Sequence, residues 1–329
     1  MPKRLVICSD GTWSKPDQEF PTNVVKLSRA IRPADAAGIG QKVCYHDGIG
    51  ASGGWWKRWT GGAFGEGIDE IIAANYRFLI ENYDPGDELF LFGFSRGAYL
   101  VRSTVGLIRN CGLLKRDHIE QFDAAYALYR RRDDGSHPRA DESTTFRADY
   151  SWQPRIRFIG VWDTVGSLGI PLMPLRFWTK QFYEFHDVQL SSWVDSAFQA
   201  LAVDERRKPF AATLWQAQAS AQGQVLEQAW FPGVHANVGG GYADHGLSDL
   251  ALQWLVGKAQ QCGLSLEIPP DMTPDHLGAA RDSMTFWYRL LGEHIRTISP
   301  GADGQSISPA VKARQKGTTG YRPPNVPWP

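Results

Sequence analysis

The segment ELFLFGFSRGAYLVRSTVGLIRN, residues 88–110, constrains this chain more than any other. Its first seven residues are almost all apolar and read as a buried strand. GFSRG at 93–97 turns the chain, and the residues after it return to helical spacing. A strand that enters a helix through GxSxG lifts a serine oxygen above a sheet, with the helix N-terminus beneath it. Ser95 is therefore the candidate nucleophile, and Gly93 and Gly97 remove side chains where strand and helix crowd the turn. The motif is short, and GASGG at 50–54 matches it too. Trp55, Trp56, Trp59 and Gly61-Gly62 follow Ser52, however, rather than a helix. GIGASG at 48–53 fits a dinucleotide fingerprint, but that motif must open a helix, and GWWKRWTGG does not start one. GGAFGEG at 61–67 lacks the Lys-Ser/Thr of a phosphate loop.

Around this segment, strand and helix patterns alternate. Residues 5–8, 42–46, 88–94, 156–162 and 225–231 read as strands, and 23–31, 68–83, 97–110 and 248–262 as helices. Asn23 is a possible cap for the first helix. Such alternation predicts an α/β fold, mostly parallel, with helices on both faces of the sheet. Two stretches interrupt it. Residues 112–154 read as an excursion with one helix, 117–132, and a polar loop. Residues 166–208 read as an insertion whose apolar start is a possible lid. These features place a catalytic domain at 1–265 and an extension at 266–329, ending in a loosely held tail.

A serine needs a base, and the base an orienting carboxylate. In this fold class the chain order is Ser, Asp/Glu, His. Asp163 ends the fourth strand, where a side chain points into the crevice at the strand ends; Asp204 is the alternative. Among eight histidines, His235 sits after a strand and before a glycine run that lets backbone approach, and His245 is next. The oxyanion of an acyl-transfer intermediate would take N–H groups from Arg96 and from Gly11 and Thr12, in the loop two strands before the elbow. Asp10 is placed to brace that loop. Trp13, Trp162, Trp55 and Trp56 are expected to line an apolar substrate cleft.

Composition narrows the partners. Lys+Arg and Asp+Glu are both 35 in 329 residues, so net charge is zero. This argues against nucleic acid, which selects a basic face. The run Arg130-Arg131-Arg132 meets Asp133-Asp134 and reads as a solvated helix end. Four cysteines at 8, 44, 111 and 262 form no zinc or disulfide spacing, and Cys8 and Cys44 read as buried hydrophobes. No metal or cofactor is called for. Without an N-terminal h-region or a long apolar run, the expectation is a cytoplasmic protein with no transmembrane segment, in peripheral membrane contact at most.

The segments SDGTW (9–13), YHDGIG (45–50), GGAFGEGI (61–68), GDELFLFGFSRGAY (86–99), GVWDTVGSLG (160–169), ALAVDERRKPF (200–210) and WFPGVHANVGGGY (230–242) occur in this order. Together they resemble the catalytic domain of type VI secretion phospholipase effectors, also catalogued as an uncharacterised α/β-hydrolase domain. The resemblance covers roughly residues 3–262. It implies an α/β-hydrolase fold and a Ser95–Asp163–His235 triad. Asn237 stands where that family often has Asp, and the first strand ends Cys8-Ser9-Asp10 rather than in the usual Phe-Asp. The reading is a serine hydrolase of carboxylic esters, of lipid or another apolar acyl group, acting through an acyl-enzyme. The alternatives are a secreted phospholipase toxin and a hydrolase-like scaffold that binds without chemistry.

Overall fold

The computed structural model describes residues 2–11, 14–48, 64–131, 133–166, 188–219, 221–290 and 292–328, with side chains in the second long helix from residue 67. In chain order the strands and helices are β1 (Arg4–Ser9), α1 (Asn23–Ala30), β2 (Gln41–His46), α2 (Phe64–Asn82), β3 (Glu88–Phe94), α3 (Arg96–Cys111), β4 (Leu113–Leu114), α4 (Phe122–Arg130), α5 (Asp141–Tyr150), β5 (Ser151–Trp152), β6 (Ile156–Trp162), β7 (Ser196–Ala202), β8 (Val225–Phe231), α6 (His235–Gly239), α7 (Gly246–Gln261), α8 (Phe286–Leu290), β9 (Gln305–Ile307) and α9 (Pro309–Gly317).

Seven strands form one sheet in the order β2-β1-β3-β6-β7-β8-β9. Every pairing in it is parallel. This is the mostly parallel α/β arrangement that the alternation predicts, and it agrees with the fold the family resemblance implies. Strands buried on both faces need apolar residues at odd and even positions alike. Leu5, Ile7, Leu89, Leu91, Ile159 and Val161 face α2 and α3. Their neighbours Val6, Cys8, Phe90, Phe92, Phe158 and Trp162 face α1 and α7. A third cluster joins Leu201, Val203 and Trp230 to Val311 and Val326 near the C-terminus.

Several expectations are corrected here. The insertion expected at 166–208 contains β7, a wholly buried strand inside the main sheet. Of the possible lid, residues 167–187 lie outside the described residues. The polar loop expected within 112–154 holds a second helix, α5, and the excursion is closed by the antiparallel β4–β5 pair. Thr22, not Asn23, caps α1, accepting the Val25 N–H; Asn23 instead donates to the carbonyls of Val238 and Ser248. Residues 266–329, set apart in sequence as an extension, supply β9. The tail is held: Asn325 donates to the Val203 carbonyl and Val326 is buried. Among the described residues no helix is long and apolar enough to cross a membrane, and no group of His, Cys, Asp and Glu is arranged to hold a metal ion.

Candidate active site

Parallel strands bring their carboxyl ends to one edge, and the site residues follow those ends. Ser95 follows β3, Asp163 follows β6, Asp204 and Glu205 follow β7, and His235 opens α6 after β8. Ser95 has φ 57° and ψ −119°, so the elbow is a strained turn. The two glycines of the motif are sterically required. A Cβ on Gly93 would lie 2.5 Å from the Gly97 carbonyl oxygen, and one on Gly97 would overlap the Ser9 carbonyl in β1. The Ser95 N–H donates to the Trp162 carbonyl at 3.0 Å, tying the elbow to the strand that carries Asp163.

Three side chains remote in sequence form one chain of hydrogen bonds. His235 Nε2 lies 2.8 Å from Ser95 Oγ, and His235 Nδ1 lies 2.6 Å from Asp163 Oδ2. All three are buried. The His235 ring is held between Phe94, at 4.7 Å between centroids, and Phe210, at 5.0 Å. Gly239 lets the Phe94 ring in, since a Cβ there would overlap it. An imidazole placed between a hydroxyl and a carboxylate can take the hydroxyl proton while the carboxylate fixes its orientation.

Asp163 is fully buried and also takes the Ala202 N–H on Oδ1. Burial pushes its carboxyl up, but the Arg296 charge and the His235 hydrogen bond outweigh burial and hold it well below the usual carboxylate range. Arg296 is the residue that sequence reasoning missed; it belongs to no motif and lies far beyond the last recognised segment. Glu205 braces the histidine from the other side. It accepts the His235 backbone N–H at 3.2 Å, Arg207 through Nε and Nη2, and the Ser283 hydroxyl. Burial raises its carboxyl, and Arg207 brings it below the ordinary value. Asp204, the alternative acid, binds the Gly233 N–H and the Tyr321 hydroxyl. Asp204 and Glu205 thus bracket the loop that carries His235. His245, the alternative base, pairs with Asp249, which also binds Lys26. Asn237 takes the Arg281 N–H and donates to the Ala279 carbonyl, clamping the loop to the C-terminal segment.

The loop after β1 differs in part from expectation. Asp10 braces it, accepting Gly11 N–H at 2.6 Å, Thr22 Oγ1 at 2.5 Å and Tyr45 hydroxyl at 3.0 Å. Burial raises the Asp10 carboxyl against these bonds. Gly11 lies against Ser95: its Cβ, if present, would be 3.3 Å from Ser95 Cβ. Its N–H is turned to Asp10, so it is not free to hold an oxyanion. The Arg96 N–H opens α3 and has no intrahelical acceptor. Thr12, Trp13, Trp55 and Trp56 lie outside the described residues. Trp162 is not a cleft wall. It is fully buried in the core layer of α1 and α7, its indole N–H without an acceptor among the described residues. The described aromatics at the site are Phe94 and Phe210, on either side of His235, with Tyr288 meeting Phe210 edge-on at 6.0 Å.

With the geometry in place, comparison decides the family. The profile described as "T6SS, Phospholipase effector Tle1-like, catalytic domain" matches residues 3–258. The chain belongs to that family. A Tle1-like assignment fits the α/β sheet and the serine elbow. An uncharacterized protein of Saccharomyces cerevisiae is 29% identical over 231 residues, 63% of this chain and 32% of that protein. An uncharacterized protein from Pseudomonas aeruginosa is 16% identical with a TM-score of 0.48, over 83% of this chain and 48% of the other. The Tle1 effector solved with the VgrG spike of the type VI secretion system is 18% identical with a TM-score of 0.43, over 74% and 52%. The chain thus spans about a third of the yeast protein and about half of each solved chain.

Proposed function

We propose that this chain is a serine hydrolase of carboxylic esters, with acyl lipids as its substrate class. The observation that carries the reading is the hydrogen-bonded line Ser95–His235–Asp163, 2.8 and 2.6 Å, with its serine on a strand-to-helix elbow. Ser95 Oγ adds to the ester carbonyl while its proton passes to His235 Nε2. The carbonyl oxygen takes the negative charge, with the Arg96 N–H as donor and Thr12, which follows Gly11 in sequence, as the second donor expected from sequence. His235 then protonates the departing alkoxide, leaving Ser95 acylated. Water gives a proton to His235 and its oxygen to the acyl carbon; the acid departs and Ser95 regains its proton. Asp163 stays ionised throughout and holds the imidazole.

The substrate class rests on the Tle1-like family and on apolar surface beside the site. Phe286 and Trp287 are 70% and 73% exposed on α8, while Tyr288 of the same helix packs on the wall residue Phe210. Large apolar side chains next to a site mark a contact, and a lipid surface fits an acyl-ester substrate. Ser95→Ala is expected to abolish both p-nitrophenyl ester turnover and labelling by a fluorophosphonate. Full activity in that variant would overturn the reading, and a wild type that neither turns over nor labels would mark a binding scaffold. The family brings one further reading, action as a toxin delivered to another cell. Growth arrest on export to a bacterial periplasm, absent in Ser95→Ala, is its expected result; equal growth with both rejects it.

A further inference from the structure

Arg296 is the most deeply placed cation at the site. It is 2% exposed and 133 positions from Asp163 in sequence. Its Nη1 lies 2.6 Å from Asp163 Oδ1 and 2.9 Å from the Ala202 carbonyl. Its Nη2 lies 2.9 Å from Asp163 Oδ2 and 2.6 Å from the Phe210 carbonyl. The guanidinium therefore forks onto both carboxylate oxygens and is itself fixed by two backbone carbonyls, one of them on the residue whose ring walls His235. Among the described residues, Nε alone has no acceptor. A fork in such a socket admits one carboxylate orientation, the one that points Oδ2 at His235 Nδ1.

We propose that Arg296 is a positioning residue for hydrolysis at Ser95, one that aligns Asp163 with His235 and, by matching the Asp163 charge, sets the acid limb of activity. The proposal rests on the hydrolase reading above. Its electrostatic part follows from what faces the histidine. Asp163 lies on Nδ1 and Glu205 on the backbone N–H. Arg296 pairs with the first carboxylate and Arg207 with the second. Ser95 comes from the elbow, and among the described residues the rings packed on the imidazole are Phe94 and Phe210. Each carboxylate is thus already balanced by a guanidinium. A base beside a balanced carboxylate captures a proton less readily than one beside a free carboxylate. Removing Arg296 would leave the Asp163 charge unbalanced beside the imidazole and free to turn away from it, so both the level of activity and its acid limb depend on the fork.

The test is the pH profile of kcat/KM on a p-nitrophenyl ester, and of the fluorophosphonate labelling rate, for wild type, Arg296→Met and Arg296→Lys. In Arg296→Met the acid-side midpoint is expected to rise by about one pH unit, a further loss of roughly tenfold below the wild-type midpoint. In Arg296→Lys, which keeps the charge but not the fork, the midpoint is expected to stay near wild type while the plateau falls. If Arg296→Met does not fold, Arg296→Gln replaces it in the same comparison. Plateaus that fall equally in all variants with unmoved midpoints would reduce Arg296 to a structural role and overturn the proposal. A wild type that neither hydrolyses nor labels would sink the hydrolase reading itself, and the proposal with it. Labelling needs no knowledge of the natural substrate, so the wrong choice of ester cannot produce that second outcome.

Discussion

Ser95 and Asp163 both have a positive φ, which side chains rarely adopt, of 57° and 43°. Two strained residues persist only where their surroundings fix them. Ser95 is fixed by Gly93 and Gly97, which let α3 close onto β1 and β3. Gly97→Ala would drive a methyl into the Ser9 carbonyl, and with no side chain there to give way the backbone must shift. A loss of about 2–4 kcal/mol is expected, read from chemical denaturation, with labelling of Ser95 lost in whatever fraction still folds. Asp163 gives a pH-dependent counterpart. Its carboxyl is lowered in the fold chiefly because the Arg296 charge and His235 overcome burial. Its ionised form thus adds stability above the ordinary carboxylate range, and that stability drains away as pH falls through the depressed folded value. Asp163→Asn removes the term. The variant is expected to be less stable at pH 7 but to lose less stability between pH 7 and pH 3 than wild type, as measured by denaturant midpoints across that range. Ester turnover should fall about ten-thousandfold.

At the scale of elements, what was legible depended on how strongly each segment's own residues spoke. The elbow strand and its helix were plain, because ELFLFGF and the helix after it are apolar at the right periods. SAFQALA, which forms β7, was not. Alanine has little strand preference, and Gln199 sits polar and fully buried at the strand centre. Tertiary contacts rescue it: the Gln199 side chain bonds the Thr213 carbonyl, Thr164 and Gln228. The α5 segment DESTTFRADY carries few apolar residues and read as loop; its helix is fixed by Arg147, which donates to the Asn110 carbonyl. Ser95, Asp163 and His235 were legible because the proposed site follows strand ends, and strand ends show in sequence. Arg296 lies in a loop, and no periodicity points to a loop arginine. The helix α8 is the element whose exposed side asks for a partner. In Phe286→Ser/Trp287→Ser, the ratio of activity on phospholipid vesicles to activity on a monomeric ester is expected to fall about tenfold or more. An unchanged ratio would remove α8 from the lipid-contact reading.

At the scale of the whole molecule, residues 259–329 pack into the same sheet and core as the site. The family profile ends at residue 258, yet the packing does not. β9 pairs with β8 at Gln228, Ala229 and Trp230, and so covers what would otherwise be an open sheet edge. Trp230 is fully buried and its indole N–H donates to Gln305. Val311 and Val326 close the third apolar cluster over Leu201 and Val203. Arg314 bonds the carbonyls of His276 and Gly278, and Tyr321 bonds Asp204 beneath the histidine loop. A chain ended at 258 would expose Trp230, strip the cover from β8 and leave Asp163 buried without its guanidinium. Removing one partner of a buried ion pair is costly by about 3–5 kcal/mol on its own, which approaches the whole margin of a typical domain, about 5–15 kcal/mol. Such a truncation is expected to be insoluble or to lack a cooperative melt. Supplying residues 259–329 as a separate chain during refolding should restore ester turnover in part, because the contacts it restores are non-covalent. A soluble 1–258 fragment with a sharp melt and wild-type turnover would show that the site needs neither β9 nor Arg296, and the account of both would fall together.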